Sequence, residues 1–298
     1  MLDTPPFLDE PVSPQRASNV ANIGSILLEQ GYLTRENIEQ ILRLQKAQPV
    51  RFGVAAQHLG LLTADDVEQV LAQQFNSPKL PLGQGGSLPE LVAAFDPHGA
   101  AADILRGIRS QLLVQGLADQ RKTLAIVGVD DERGNSLLAA NLAIMFSQLN
   151  KKIVLIDANL RSERQQVIFN VPRGYGLADV LAGRAGIDAL IEMADLPGLS
   201  LLVAGTLAPN PAELLGRGVF RQLHVALLQR FDLVFIDSCG FGAQGEALAL
   251  ARQIDGAVIS ARMDQTRCHD VALTGARLRQ AGIEVLGSVL LHHCAMTL

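Results

Sequence analysis

Short apolar runs alternate with helical patterns through the last two thirds of the chain. Because these runs lack the polar alternation of a half-exposed strand, they are typical of parallel strands that helices cover on both faces. They read "TLAIVGV", "KIVLIDA", "LSLLVAG", "DLVFID", "GAVISA" and "EVLGSVLL". The alternation predicts a doubly wound α/β fold with a mostly parallel sheet.

A different pattern occupies the first quarter, where residues 23–45 return as residues 52–74, 29 positions further on. Each copy predicts a short helix that ends at a C′ glycine, then a threonine N-cap, then an amphipathic helix with acidic residues in its first turn. Two such helical hairpins predict a small all-α domain that precedes the sheet.

Proline and glycine concentrate between the two patterns, in "NSPKLPLGQGGSLPELVAAFDPHG", and a helix over about residues 100–115 leads into the first strand. The resulting organisation is a disordered N-terminus at 1–17, the all-α domain at 18–76, a linker at 77–98 and the sheet domain at 99–298.

Composition narrows the class of protein. Apolar residues make up 48% and charged residues 18%, which is typical of a soluble globular chain, and the net charge of −5 argues against nucleic-acid binding. Three widely spaced cysteines argue against a disulfide framework and fit a reducing cytoplasm. The first twenty residues do not resemble a signal peptide, and no apolar run approaches about 18 residues. We therefore expect a cytoplasmic protein without direct membrane insertion.

Three features point to a nucleotide phosphate and magnesium. The stretch "DERGNSLLAANLA" follows an apolar run and is expected to form a phosphate-binding loop, with a helix starting near Ser136. Asp157 and Asp237 each end a predicted strand, where open α/β sheets hold their ligands. Ser136, Asp157 and Asp237 are therefore the predicted Mg²⁺ ligands.

Longer stretches carry a family resemblance. "LAANLAIMFSQLNKKIVLIDANLRSERQ", "GLADVLAGRAG", "PNPAELLGRGVFRQL" and "FDLVFIDS" occur in the order in which they resemble segments of the bacterial tyrosine kinases of polysaccharide chain-length control, and more closely their EpsG-type exopolysaccharide members. The N-terminal repeat resembles the N-terminal domain of type II secretion ATPases.

The resemblance implies a deviant P-loop NTPase fold and specific roles. Ser136 would bind Mg²⁺, Asp157 would be the Walker A′ carboxylate that activates the acceptor hydroxyl, and Asp237 would be the Walker B carboxylate. ATP or ADP would be the bound nucleotide. The nucleotide-binding set would comprise Arg133, Gly134, Asn135, Ser136, Leu137, Asn159 and Arg161.

The chain departs from that pattern where the phosphates would lie. Asn135 stands at the position of the loop lysine, Glu132 replaces a glycine, Asn159 replaces the second acid of Asp-x-Asp, and Cys239-Gly240 replaces a Pro-Pro pair. A lost or opposed unit charge about 6 Å away is worth roughly 2 to 3 kcal/mol at an effective dielectric near 20. We therefore expect weak or absent ATP binding.

Tyrosine supply is low. Tyr32 and Tyr175 are the two tyrosines, and the C-terminus "GSVLLHHCAMTL" contains none. Composition therefore excludes the tail autophosphorylation of many relatives.

His292, His293 and Cys294 are consecutive and would point to opposite faces of a strand, so no zinc site is expected. Cys239 has no base near it in sequence, which argues against a nucleophile.

"DILRGIRSQ" resembles the oligomerisation motif of the same kinases. Asp103, Arg106 and Arg109 would lie on adjacent turns of one helix. The resemblance implies a charged contact between subunits of a homo-oligomer. The alternative is a solvated helix face held by its own i,i+3 pairs.

The N-terminal repeat also resembles a tandem motif that binds cyclic di-GMP. Arg51-Phe52-Gly53 fits that motif in the second copy, whereas the first copy has Asn22-Ile23-Gly24 and lacks the arginine. Arg51, Gly53 and Gly24 are the candidate contacts. The alternative is a helical docking module that packs through its leucines.

Three functional hypotheses remain. The first is a cytoplasmic tyrosine-kinase-like P-loop protein with a degenerate site, recruited to the inner membrane by a membrane chain-length determinant. The second is a non-catalytic docking or cyclic di-GMP-sensing subunit of the same machinery. The third is a septum- or partition-type positioning ATPase, although the apolar, strand-like C-terminus lacks the amphipathic helix that would favour it.

Overall fold

The computed structural model describes residues 23–29, 31–63, 66–67, 90–129, 132–238 and 249–292. The chain divides into two compact units, 1–78 and 79–298. The predicted disordered N-terminus, most of the predicted linker, Asn22, Cys239-Gly240 and His293-Cys294 lie outside the described residues. Among the described helices, none is long and apolar enough to cross a membrane.

The first unit contains three of the four helices predicted from the repeat, and most of the fourth, which would follow Thr63, lies outside the described residues. Its described helices are α1 (Ile23–Glu29), α2 (Arg35–Ala47) and α3 (Phe52–His58). Gly31 and Gly60 follow α1 and α3 with φ of 76° and 66°, the left-handed conformation that favours glycine. These positions confirm the predicted C′ glycines.

Threonine caps recur in both copies of the repeat. Thr34 Oγ1 accepts a hydrogen bond from Asn37 N at 3.2 Å, and Asn37 Oδ1 accepts one from Thr34 N at 2.9 Å. Thr63 and Asp66 form the same reciprocal pair, at 3.1 and 2.8 Å. The two predicted threonine caps are therefore confirmed, because each satisfies a backbone donor that the helix leaves open.

The second unit is built on a seven-stranded sheet of order β3-β4-β2-β5-β1-β6-β7. All described strand pairs are parallel except β3 with β4. The strands are β1 (Thr123–Gly128), β2 (Ile153–Asp157), β3 (Ile191–Glu192), β4 (Leu199–Leu202), β5 (Leu233–Ser238), β6 (Gly256–Arg262) and β7 (Glu284–Leu291).

Helices connect the strands and cover both faces of the sheet. They are α4 (Val92–Phe95), α5 (Ala100–Val114), α6 (Glu132–Ser147), α7 (Gln165–Ile168), α8 (Leu177–Leu181), α9 (Pro211–Leu215), α10 (Gly218–Leu228) and α11 (Cys268–Gln280), with 3-10 turns at Ile187–Ala189 and Ala251–Gln253. The predicted fold class, a doubly wound α/β sheet, is confirmed.

Burial on both faces explains the continuous apolar runs. Along β1, Leu124 and Ile126 belong to one hydrophobic cluster, whereas Ala125 and Val127 belong to the cluster on the opposite face. Since alternate side chains of a strand point to opposite faces, both sets must be apolar. The carboxyl ends of β1, β2 and β5 therefore meet at one edge of a well-packed sheet.

Candidate nucleotide site

Asp157 and Asp237 lie side by side at the carboxyl edge of the sheet. Asp157 is the last residue of β2, Asp237 is the last but one of the adjacent parallel strand β5, and the two are register partners. Both carboxylates are buried, with 0% and 1% of their surface exposed. The structure thus brings together the two acids that the sequence placed 80 positions apart.

Three backbone amides hold Asp157. Asn159 N donates to its Oδ1 at 3.1 Å, and Arg164 N and Gln165 N donate to its Oδ2 at 2.9 and 3.0 Å. Burial raises the pKa of Asp157, and the Asp237 carboxyl raises it further, to about 8, against the opposing effect of these hydrogen bonds. A raised pKa means that the pair carries less than two full negative charges at neutral pH.

Asn135 is directed into the protein. Its side chain is buried, and its Nδ2 donates to Asp237 Oδ1 at 2.8 Å and to the carbonyl oxygens of Ile126 and Ser238, both at 3.1 Å. The Ser260 hydroxyl donates to Asn135 Oδ1 at 2.8 Å. The residue at the lysine position therefore joins β1, β5 and β6.

A second amide, which sequence reasoning missed, completes this network. Gln165 Nε2 donates to Asp237 Oδ2 at 2.7 Å and to the Ser136 carbonyl at 3.0 Å. Gln165 is buried at the start of α7, far from both partners in sequence. No local motif marks it, because its role depends on how the turn after β2 folds back.

These residues have the oxygen chemistry that Mg²⁺ prefers but do not fit the ion in this arrangement. Both oxygens of Asp237 accept side-chain amides, and both oxygens of Asp157 accept backbone N–H groups. Within the described ranges there is no group of three or more His, Cys, Asp or Glu that could hold a metal. A magnesium ion would have to displace existing hydrogen bonds.

Helix α6 begins earlier than the sequence predicted. It starts at Glu132, so Arg133, Gly134 and Asn135 lie in its first turn, whereas the helix was expected to start near Ser136. Glutamate is a good helix former and glycine a poor one, so glutamate at position 132 favours a helix there. The prediction of a loop through Asn135 was wrong.

Arg133, the cation nearest to the missing lysine, contacts the segment before α4. Its Nη2 lies 2.9 Å from Glu90 Oε1. Half of the arginine side chain is exposed, whereas the glutamate is largely buried. The predicted nucleotide-binding arginine is therefore held beside Glu90 in this structure.

The remaining predicted nucleotide contacts have structural partners. Asn159 is buried, and its Oδ1 accepts a hydrogen bond from Ser162 N at 3.2 Å. Ser136 is also buried. The Leu137 carbonyl oxygen accepts a hydrogen bond from Asn141 Nδ2 at 2.9 Å. Arg161 is exposed and lines a cleft of about 510 Å³ beside the ends of β2 and β4. The hydrogen bond between Asn159 and Ser162 shows that Asn159 shapes the turn after β2.

A buried acid that the sequence did not single out supports the far side of that cleft. Asp179 accepts hydrogen bonds from Thr206 N and Oγ1, Arg184 and Gly176 N. Burial raises the pKa of Asp179, but the hydrogen bonds from Thr206, Arg184 and Gly176 together outweigh it and bring the pKa to about 2. The carboxylate therefore fixes the start of α8 to the loop after β4.

The predicted oligomerisation residues contact their own chain. Arg106 pairs with Asp103 and donates to the Pro97 carbonyl at 2.6 Å. Arg109 Nη1 donates to the Met145 carbonyl of α6 at 2.7 Å, and burial lowers the pKa of Arg109. These contacts fit the alternative of internal i,i+3 pairing, and the subunit contact stays a prediction.

The glycines of the proposed cyclic di-GMP motif have packing roles. A Cβ at Gly53 would lie 2.6 Å from Val67 Cγ1, and one at Gly24 would lie 3.5 Å from the Phe52 ring. Arg51 is exposed and is the N-cap of α3 without a side-chain capping bond. Close helix packing accounts for Gly53, whereas the distance at Gly24 is an ordinary van der Waals contact that does not require glycine, and nucleotide binding by this unit stays a prediction.

No protein-family model matches the chain. It is 26% identical over 267 residues to a putative tyrosine-protein kinase in the cps region of Klebsiella pneumoniae, covering 89% of this chain and 34% of the relative. It is 29% identical over 199 residues to the tyrosine-protein kinase Etk of Escherichia coli strain K12, covering 67% and 27%. The chain thus spans about a third or less of these two relatives.

Solved kinase domains share its fold. The Etk kinase domain of Escherichia coli matches with a TM-score of 0.66 at 27% identity, over 74% of this chain and 87% of that domain. The chimerical protein CapA2B2 matches with a TM-score of 0.65 at 25% identity, over 78% of this chain and all of that one. The matched region is about three quarters of this chain, all of the chimerical protein and 87% of the Etk kinase domain.

Proposed function

We propose, from the premise that this chain belongs to the bacterial tyrosine-protein kinase family, that it is a kinase-like P-loop protein whose nucleotide site has degenerated. In this proposal it regulates the chain length and export of an extracellular polysaccharide. It acts in the cytoplasm together with a membrane chain-length determinant, which recruits it to the inner membrane.

The Asn135–Asp237 hydrogen bond carries the proposal. A lysine at position 135 would supply a positive charge to the β- and γ-phosphates, whereas the neutral asparagine side chain is buried and bonded at 2.8 Å to the predicted Walker B carboxylate. Asparagine in place of lysine therefore removes the cation that would bind the phosphates. It also occupies an Asp237 oxygen that would face magnesium. We infer that ATP or ADP and Mg²⁺ bind weakly or not at all.

The helical start of α6 supports the same inference. A phosphate-binding loop presents several backbone N–H groups to the anion before its helix begins. Here the backbone from Glu132 onward is already helical, so the N–H groups from Ser136 onward bond within the helix rather than converge on a phosphate.

Recognition of the partner would use the surface of the sheet unit rather than phosphotransfer. Asp103 is exposed on α5, while the side chain of Arg106 remains about a third exposed. We propose that this face of α5 contacts a neighbouring copy, which would present several copies to the membrane determinant. The contact would exploit charge complementarity at the rim of an interface.

Nucleotide titration and cellular complementation together test the proposal. We expect no saturable binding of Mg-ATP by the intact chain below about 1 mM, since a lost charge pair is worth roughly 2 to 3 kcal/mol. We also expect a Ser136→Ala variant to restore the normal polysaccharide length in cells that lack this protein. Tight Mg-ATP binding with phosphotransfer, and loss of complementation in Ser136→Ala, would favour an active kinase.

A further inference from the structure

Three arginines line one cleft in the sheet unit, and no residue of the candidate nucleotide site is among those that line it. The cleft has a volume of about 620 Å³, and Arg217, Arg221 and Arg252 contribute to its walls. Arg217 is the N-cap of α10 and Arg221 is its fourth residue, so both arginines lie at the N-terminal end of this helix. Arg252 comes from the 3-10 turn that precedes β6.

The side chains of these three arginines are exposed. Within the described part of the chain, none of the three takes part in an ion pair or a side-chain hydrogen bond. Cations are also unfavourable near the N-terminus of a helix, where the helix dipole is positive, so an anion in the cleft would be attracted by both. The chain as a whole carries a net charge of −5, so this cluster does not follow from a basic composition.

The backbone beside the arginines is also uncovered. Gly218 lines the cleft as the first residue of α10, and a Cβ built there would meet no atom within 4 Å. The first turn of this 11-residue helix contains no acidic residue, and its N-cap makes no side-chain capping bond. The positive end of the helix therefore adds to the field of the arginines.

We propose that this cleft binds a small polyanion that carries at least two phosphate groups. Each planar guanidinium can bond two phosphate oxygens, so three of them match the several oxygens of a di- or triphosphate. The volume lies in the range of small-molecule sites, about 300 to 1,000 Å³. A concave site of this size suits a compact ligand better than a flat membrane surface.

The probe for the test is inorganic tripolyphosphate, titrated calorimetrically into the intact chain without magnesium. We expect saturable binding that weakens as salt is raised and that falls by about tenfold in each of Arg221→Glu and Arg252→Glu, because a charge at the site is reversed. Arg230→Glu is the matched control, since it makes the same charge change at an exposed position just beyond the other end of α10. It should leave binding unchanged.

Further measurements distinguish binding at the arginine cleft from binding at the candidate nucleotide site and from other classes of ligand. Ser136→Ala alters the phosphate-loop region, so binding should survive it if the arginine cleft is the site. Loss of binding in Ser136→Ala but not in Arg221→Glu would overturn the proposal, as would the absence of saturable binding. Tighter binding of polyglutamate, or of vesicles that contain anionic lipid, would assign the cleft to an acidic protein or a membrane and would also overturn it.

Discussion

Asn135 Nδ2 lies 2.8 Å from Asp237 Oδ1, so the residue at the lysine position of the phosphate loop is hydrogen-bonded to the residue at the Walker B position. In a nucleotide-binding site the residue at the lysine position would contact the phosphates, and the residue at the Walker B position would contact the magnesium ion. Their direct bond turns part of the site into an internal brace between α6 and β5.

The brace should contribute to stability. Asn135→Ala would leave Asp237 Oδ1, two backbone carbonyls and the Ser260 hydroxyl without this partner. Unsatisfied buried groups cost about 1 to 3 kcal/mol each, partly relieved by relaxation, so we expect the free energy of unfolding to fall by about 2 to 4 kcal/mol. Urea denaturation measures this, with the exposed Gln280→Ala as control. A loss below about 0.5 kcal/mol would contradict the brace.

Restoring the loop chemistry should restore nucleotide affinity. Asn135→Lys together with Glu132→Gly returns the cation and lowers the helix propensity of the first turn of α6 by about 1 kcal/mol. We expect Mg-ATP affinity to rise at least about tenfold by calorimetry, since one charge pair is worth roughly 2 to 3 kcal/mol. Adding Ser136→Ala should reverse the gain. Submicromolar affinity in the unmodified chain would contradict degeneracy.

The stability of the sheet unit should depend on pH through Asp157. Its folded-state pKa is raised to about 8 by burial and by Asp237, whereas an unfolded aspartate has a pKa of about 3.9. As pH rises from about 4 to about 8, the Asp157 carboxyl loses its proton in the unfolded chain but keeps it in the folded chain. The free energy of unfolding therefore falls over this range. Asp157→Asn should reduce the difference in Tm between pH 5 and pH 8.

Asp195→Asn, at an exposed position, is the control for this pH experiment and should keep the pH dependence of the unmodified chain. A steeper fall of Tm with pH in Asp157→Asn would show that the carboxyl is ionised in the folded state.

Charge reversal on α5 tests self-association. A charge reversal at Arg109 would also remove its 2.7 Å hydrogen bond to the Met145 carbonyl. Asp103→Arg is the cleaner change, because Asp103 is exposed and its described ion pair is with Arg106. We expect a shift toward monomer in sedimentation, and weaker membrane recruitment in cells that contain the chain-length determinant. Unchanged assembly and recruitment, or equal pelleting without the determinant, would contradict the proposed contact.

The helical unit offers a packing test. Gly53→Ala would place a Cβ 2.6 Å from Val67 Cγ1, so α3 must shift, and we expect faster hydrogen exchange across residues 23–63. Val67→Ala in the same chain should relieve the overlap and restore protection. Gly107→Ala, whose Cβ meets nothing within 4 Å in α5, is the control and should not affect this unit. Unchanged exchange in Gly53→Ala would contradict the close packing.

The sequence by itself determined the fold class and the position of the two acids. Apolar runs with no polar alternation report burial on both faces, and parallel strands place their carboxyl ends at one edge, so Asp157 and Asp237 could be predicted as neighbours. The threonine caps and C′ glycines were equally readable, because each depends on contacts within a few residues.

Tertiary structure alone decided what the site can do. The direction of the Asn135 side chain depends on Asp237 and Ser260, both more than 100 positions away, and the role of Gln165 depends on the turn after β2. The meeting of Arg221 with Arg252 likewise requires α10 and the turn before β6 to pack together. Local patterns report propensity and burial, whereas these contacts arise from how distant segments close on one another, which no short stretch of sequence encodes.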